Sequence, residues 1–271
     1  MEFSRIAFAK KDGVVQITLN RPDRRNALSP RMAEELTQAL RRIEDDRAVR
    51  VVVLRGTDGH FCSGGDLAPD DMPENANPDL APASPAAAVL DLMNRIYGDA
   101  IRTLHGFPKP VVALVEGVAA GAGANLAFAC DLVYAARSAR FSEIFVKRGI
   151  SLDCGGSWLL PRLIGLQKAK ELAFFGDFIS ADEAHNAGLV TQVYEDDSFE
   201  TSAAERIATL ATRAPVALTQ IKQSLHRSME LGLSEALEIE AVSQAALTAT
   251  EDAAEGMRAF IEKREPNFLG R

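Results

Sequence analysis

Apolar positions along the chain fall into two rhythms. Short β-rich runs at 5–9 and 14–19 flank Lys11-Asp12-Gly13, which predicts a hairpin, and Asn20-Arg21-Pro22-Asp23 ends its second strand. Ser29-Pro30 reads as a helix N-cap followed by proline in the first turn. Met32, Leu36, Leu40 and Ile43 then recur on one helical stripe. The runs 51–54 and 111–115 are wholly apolar, as strands covered on both faces are. A helix is predicted over 89–105, stopped by Phe107-Pro108-Lys109-Pro110, and a strand over 131–135. Between them a glycine-bearing turn at 117–123 leads into a small-residue helix reaching Ala129. Beyond residue 156 the pattern is helical, over 157–164, 167–175, 181–187, 201–213, 216–229, 234–248 and 252–264. A single short strand is expected there, at 190–194. Strands alternate with helices early and helices dominate late. This predicts an α/β fold with a parallel-sheet core and an added helical layer. The stretch 68–88, dense in Pro, Ala, Asp and Asn, reads as a mobile insertion.

Composition narrows the function classes. The chain has 271 residues, 47% hydrophobic and 25% charged, which fits a globular domain and excludes disorder and fibre. Its net charge of −8 argues against general nucleic-acid binding but leaves room for a small anionic ligand held by local cations. Cys62, Cys130 and Cys154 form neither a disulfide framework nor a zinc spacing, and His60, His105, His185 and His226 form no metal pair. No metal site is expected. With no signal peptide and no long apolar run, a cytoplasmic location away from membranes is the expectation.

Two glycine-bearing bends carry the candidate chemistry, Phe61-Cys62-Ser63-Gly64-Gly65-Asp66 and the segment 117–125. Each follows an apolar strand. Small residues let a ligand approach the backbone, and free N–H groups at such bends stabilise a developing negative charge. A pair of them makes an oxyanion hole; the plainer reading of each is a tight turn.

In order, the chain carries Asn20-Arg21-Pro22, Asn26-Ala27-Leu28, the 61–67 bend, Lys109-Pro110 and the 117–131 segment. Phe141-Ser142-Glu143, the 149–156 loop, Leu160-Pro161-Arg162 and the 255–264 segment follow. This succession resembles the enoyl-CoA hydratase/isomerase family, the crotonase superfamily, over nearly the whole chain. The resemblance implies a crotonase-like spiral of ββα units over 1–200, continuous with a helical trimerisation region over 201–271. It implies a homotrimer or dimer of trimers and an acyl-CoA substrate, with coenzyme A present as part of the thioester and no prosthetic group. The oxyanion donors fall on the Ser63 and Ala122 N–H groups, within a binding lining of Gly64, Gly65, Asp66 and Gly121. Arg24 and Ala27 match the turn that meets the adenine and phosphate end of CoA. Phe260 and Lys263 match the terminal helix that touches CoA, often from a neighbouring subunit.

The same resemblance exposes a departure. The two glutamates that manage water in true hydratases would fall at Asn125 and Phe145, and neither is acidic. Glu143 is near in sequence but out of register. Asp153 stands where several branches of the family, isomerases among them, place a catalytic aspartate, and one carboxylate suffices to move a proton between two carbons. The plainer reading is that Asp153 caps the following helix. Asp66 is expected to fix its own turn, and Cys154 and Trp158 to pack. The leading expectation is therefore isomerisation of an enoyl-CoA by Asp153. A hydratase with atypical water activation, a covalent role for Asp153, and a non-catalytic CoA-binding protein are the alternatives.

Overall fold

A computed structural model of the chain describes residues 3–66, 71–72 and 84–271. In chain order the elements are β1 (Ile6–Lys11), β2 (Val14–Leu19), α1 (Pro30–Ile43), β3 (Val51–Gly56), α2 (Pro85–Asp91), α3 (Gly98–His105), β4 (Val111–Val115) and β5 (Val118–Ala120). Next come α4 (Ala122–Phe128), β6 (Leu132–Ala136), β7 (Arg140–Ser142), α5 (Gly156–Phe175), β8 (Ile179–Ser180), α6 (Ala181–Ala187) and β9 (Gln192–Tyr194). The helices α7 (Phe199–Ala211), α8 (Pro215–Ser228), α9 (Leu233–Leu247) and α10 (Glu251–Glu262) close the chain.

The main sheet has the order β1-β2-β3-β4-β6-β9. Its hairpin is antiparallel and the remaining pairings are parallel. Asp12 and Gly13 supply the two positive φ angles, 49° and 78°, of a tight hairpin turn. The apolar runs of β3 and β4 follow from burial on two sides. Val52, Leu54, Val111, Ala113 and Val115 face the core that contains α1, while Val51, Val53, Val112 and Leu114 pack with Phe199, Ala203 and Ile207 of α7. In α1 the Ser29 hydroxyl accepts from the Met32 N–H at 3.2 Å, and the Met32, Leu36 and Leu40 stripe is fully buried.

Two expectations are corrected and a third is borne out. A second sheet, β5-β7-β8, had no signal in the sequence, because strands of two or three residues are too short to show a period. The helix expected from residue 89 begins at Pro85 behind a Ser84 cap and passes through a π-helical turn at Leu92–Tyr97. The end of the expected insertion is thus helical, while its positions 68–70 and 73–83 lie outside the described residues. The helices expected at 157–164 and 167–175 are the two arms of α5, broken at Gly165 (φ 74°, ψ 157°). No helix among the described residues is long and apolar enough to cross a membrane.

Candidate active site

The two glycine-bearing bends are brought together by pairing between them. The Cys62 N–H donates to the Val118 carbonyl and the Ala120 N–H to the Cys62 carbonyl, both at 3.0 Å. Two glycines make this approach possible. Gly121 sits at φ 52°, ψ −122°, a conformation that disfavours any side chain. A Cβ on Gly123 would stand 2.3 Å from the Cys62 carbonyl oxygen, so α4 reaches the first bend only through a bare backbone. The Gly121 N–H is fixed on the Ser142 carbonyl at 2.7 Å, and Ala122 opens α4. A first-turn N–H has no partner within its own helix and is available to an anion.

Ser63 departs from the expectation. Its N–H, assigned above as a free oxyanion donor, donates to the Arg25 carbonyl at 3.1 Å, and its hydroxyl donates to the Arg24 carbonyl at 3.0 Å. The physical reason is the turn after Pro22, where Arg25 and Asn26 both adopt positive φ (49° and 57°) and swing these carbonyls onto the bend. Asn26 locks that geometry. Its side-chain oxygen accepts from the Arg21 N–H, and its amide donates to the Thr57 and His60 carbonyls.

A cavity of ≈ 420 Å³ opens between the bends, with Ser63, Gly64, Gly65, Asp66, Gly121, Ala122 and Asp153 in its lining. Leu92, Met93, Ile144, Phe145 and Ile150 give it an apolar wall. The two acids among its described lining residues differ. Asp66 pairs with buried Arg21 at 2.6 Å, which fits the turn-fixing role expected of it. Arg21 and Arg5 also flank Asp71, at 3.6 and 2.9 Å. Burial works against ionisation of Asp71, but hydrogen bonds from Arg5 and Ser29 outweigh it and hold the carboxyl below its usual range.

Among the described residues Asp153 has no such ion pair, although Arg148 lines the same cavity. Asp153 is half-buried, and one of its oxygens has no hydrogen-bond partner among the described residues. Burial raises its pKa, an interaction with the Cys154 thiol opposing. Its main-chain carbonyl, not its side chain, accepts from the Gly156 N–H (3.0 Å) at the start of α5. The capping alternative therefore fails. The Cys154 thiol is itself pushed far up by burial, which suits packing rather than nucleophilic attack.

Asn125 and Phe145 are buried, and Phe145 lines the cavity. Glu143, set aside on register, lies beside them. It is 3% exposed, its carboxyl 3.4 Å from the Asn125 side-chain nitrogen and within electrostatic reach of Asp153. Its burial between Phe141 and Phe145 had a signal in the sequence, an acid flanked by two phenylalanines and an isoleucine.

The residues expected at the CoA end do not line this cavity. Arg24 is exposed beside Asp23. Ala27 is buried, and its carbonyl accepts from Arg21 at 2.8 Å. Phe260 is 82% exposed, and Lys263 ends α10 in a left-handed conformation. No group of three or more potential metal ligands occurs among the described residues.

Comparison with known proteins gives the chain a family. The family model described as enoyl-CoA hydratase/isomerase matches residues 9–271. The chain is 39% identical to the 1,2-epoxyphenylacetyl-CoA isomerase of Escherichia coli K12 over 259 residues, 96% of each protein. It is 35% identical to the 2,3-dehydroadipyl-CoA hydratase of the same strain, across 99% of this chain and 100% of that one. A crystal structure of enoyl-CoA hydratase from Bacillus anthracis superposes with a TM-score of 0.89 at 32% identity, covering 99% of this chain and 100% of that one. The chain belongs to the enoyl-CoA hydratase/isomerase family and has the crotonase fold.

Proposed function

We propose that this acyl-CoA-processing enzyme of the crotonase superfamily shifts a double bond within an enoyl-CoA, using Asp153 as the base that carries the proton. The observation behind this reading is that Asp153 shares one cavity with the Ala122 N–H, while positions 125 and 145 are an amide and a phenyl ring. The thioester oxygen sits at the start of α4. The Asp153 carboxylate takes a proton from one carbon, the electron pair of that C–H bond passes into an enolate, and the negative charge rests on the oxygen facing Ala122. Asp153 then returns the proton to another carbon of the same unit. Ser63 contributes its N–H by sharing it with, or releasing it from, the Arg25 carbonyl. Coenzyme A enters as part of the substrate, its phosphates meeting Arg24. The apolar surface of the last helices, with Leu233, Val242, Phe260 and Ile261 all strongly exposed, supports self-association that brings Phe260 and Lys263 to a neighbour's CoA.

The test is Asp153→Asn assayed with a 3-enoyl-CoA. Loss of isomerisation in a folded variant is expected, and an unchanged rate removes the assignment. Hydration of a 2-enoyl-CoA is the second reading, favoured by the proximity of a second acid, Glu143, to Asp153. Loss of the 2-enoyl-CoA absorbance in water with no shifted product would select it.

A further inference from the structure

Glu143 is a buried acid that the reaction above leaves unused. It follows β7, where the Ser142 hydroxyl is tied to the Gly176 carbonyl at 3.0 Å. Its surroundings are largely apolar, with a few polar groups among them. From α4, the Asn125 side-chain nitrogen lies 3.4 Å from Glu143 Oε2 and donates at 3.0 Å to the main-chain carbonyl of Asp153. The loop before α5 contributes Asp153 and Cys154, which interact electrostatically with Glu143. At the turn after α5 stands Asp177, exposed and paired with Lys147 at 2.5 Å. Among the described residues no cation lies within ion-pair distance of Glu143.

Hydrogens are short here. Asn125 Oδ1, Glu143 Oε1 and Asp153 Oδ1 are all buried, with no hydrogen-bond partner among the described residues. Acceptors so placed need a donor, and a proton on one carboxyl supplies it. We propose that Glu143 is a positioning residue for Asp153: its carboxyl, joined through the Asn125 side chain to the main chain of Asp153, keeps the proton while the Asp153 carboxylate carries the one negative charge.

The proposal rests on Asp153 being the base. With Glu143 neutral, catalysis moves a single charge from Asp153 to the thioester oxygen and back. With Glu143 ionised, a second buried charge stands within electrostatic reach of Asp153 and opposes the charge there. Burial, with the Asn125 hydrogen bond opposing and the Asp153 charge adding, pushes the Glu143 carboxyl up to about 8.

Two measurements test this. The pH profile of kcat for isomerisation is expected to fall on the alkaline side in the wild type, and Glu143→Gln, which keeps the neutral shape, to lose that fall while remaining active near neutrality. Difference infrared spectra of folded Asp153→Asn are expected to show a buried carboxylic-acid carbonyl band at neutral pH that vanishes when Glu143→Gln is added. An unchanged alkaline fall in Glu143→Gln, or no such band in Asp153→Asn, overturns the proposal. Full isomerisation by Asp153→Asn instead overturns the base assignment, and the infrared band reads Glu143 independently of that result.

Discussion

Arg21 and Asp66 meet at 2.6 Å with side chains 8% and 6% exposed, and this pair ties the turn after β2 to the first bend of the site. The Asp66 N–H also reaches the Leu28 carbonyl at 2.9 Å, so charge and main chain hold the same junction. Removing the cation leaves acids buried against an apolar wall. Breaking a buried pair from one side costs about 3–5 kcal/mol. Arg21→Met is expected to lose stability in that range by denaturant titration, and to lose activity with it.

Ala122 offers a cleaner probe of the oxyanion donor. Proline is accommodated in the first turn of a helix because the N–H there has no helical partner. Ala122→Pro therefore deletes one donor while α4 persists. Loss of one such donor lowers kcat by about 10²–10³. Circular dichroism should show a folded protein, and full turnover would contradict the role of Ala122.

Gly123 tests how the bends are joined. In Gly123→Ala the added methyl meets the Cys62 carbonyl at 2.3 Å and its sulfur at 2.7 Å, and a main-chain atom has little room to yield. Overpacking of this kind costs about 1–3 kcal/mol. A lowered melting temperature is expected, together with a kcat loss greater than stability alone explains, because the Ala122 N–H moves with α4. Wild-type kcat at a lowered melting temperature would show that the spacing of the bends is not critical.

Glu143 also has a signature in stability. Its folded-state pKa, about 8, lies above its ordinary value of 4.5, so the folded chain binds the proton more tightly than the unfolded one. The contribution is fully present below about pH 4.5 and is lost as the pH rises through about 8. Relative to wild type, Glu143→Gln is expected to gain about 4 kcal/mol between about pH 4 and pH 9. Parallel stability profiles of the two proteins would show that Glu143 does not hold this proton.

Most of the architecture was legible because burial writes a period into each element. The β3 and β4 runs are continuous because both faces are covered, and the α1 stripe repeats because one face is. Glycines marked both bends as well, and Gly64, Gly117 and Gly121 take positive φ that few other residues adopt. The unread parts were those without a local period, namely the three short strands of the second sheet and the helix start at Pro85.

The sequence by itself determined which of the longer segments become strands, helices and bends, and which residue types stand at positions 63, 122, 125, 145 and 153. Only the tertiary structure decided who meets whom. It turned the Arg25 carbonyl onto the Ser63 N–H, left the Asp153 side chain out of the helix cap, and set Glu143 against Asn125 across 18 residues of sequence. Periodicity reports how one element faces the core, whereas a hydrogen-bond partner or a raised pKa depends on how distant segments dock, and no local pattern encodes that distance.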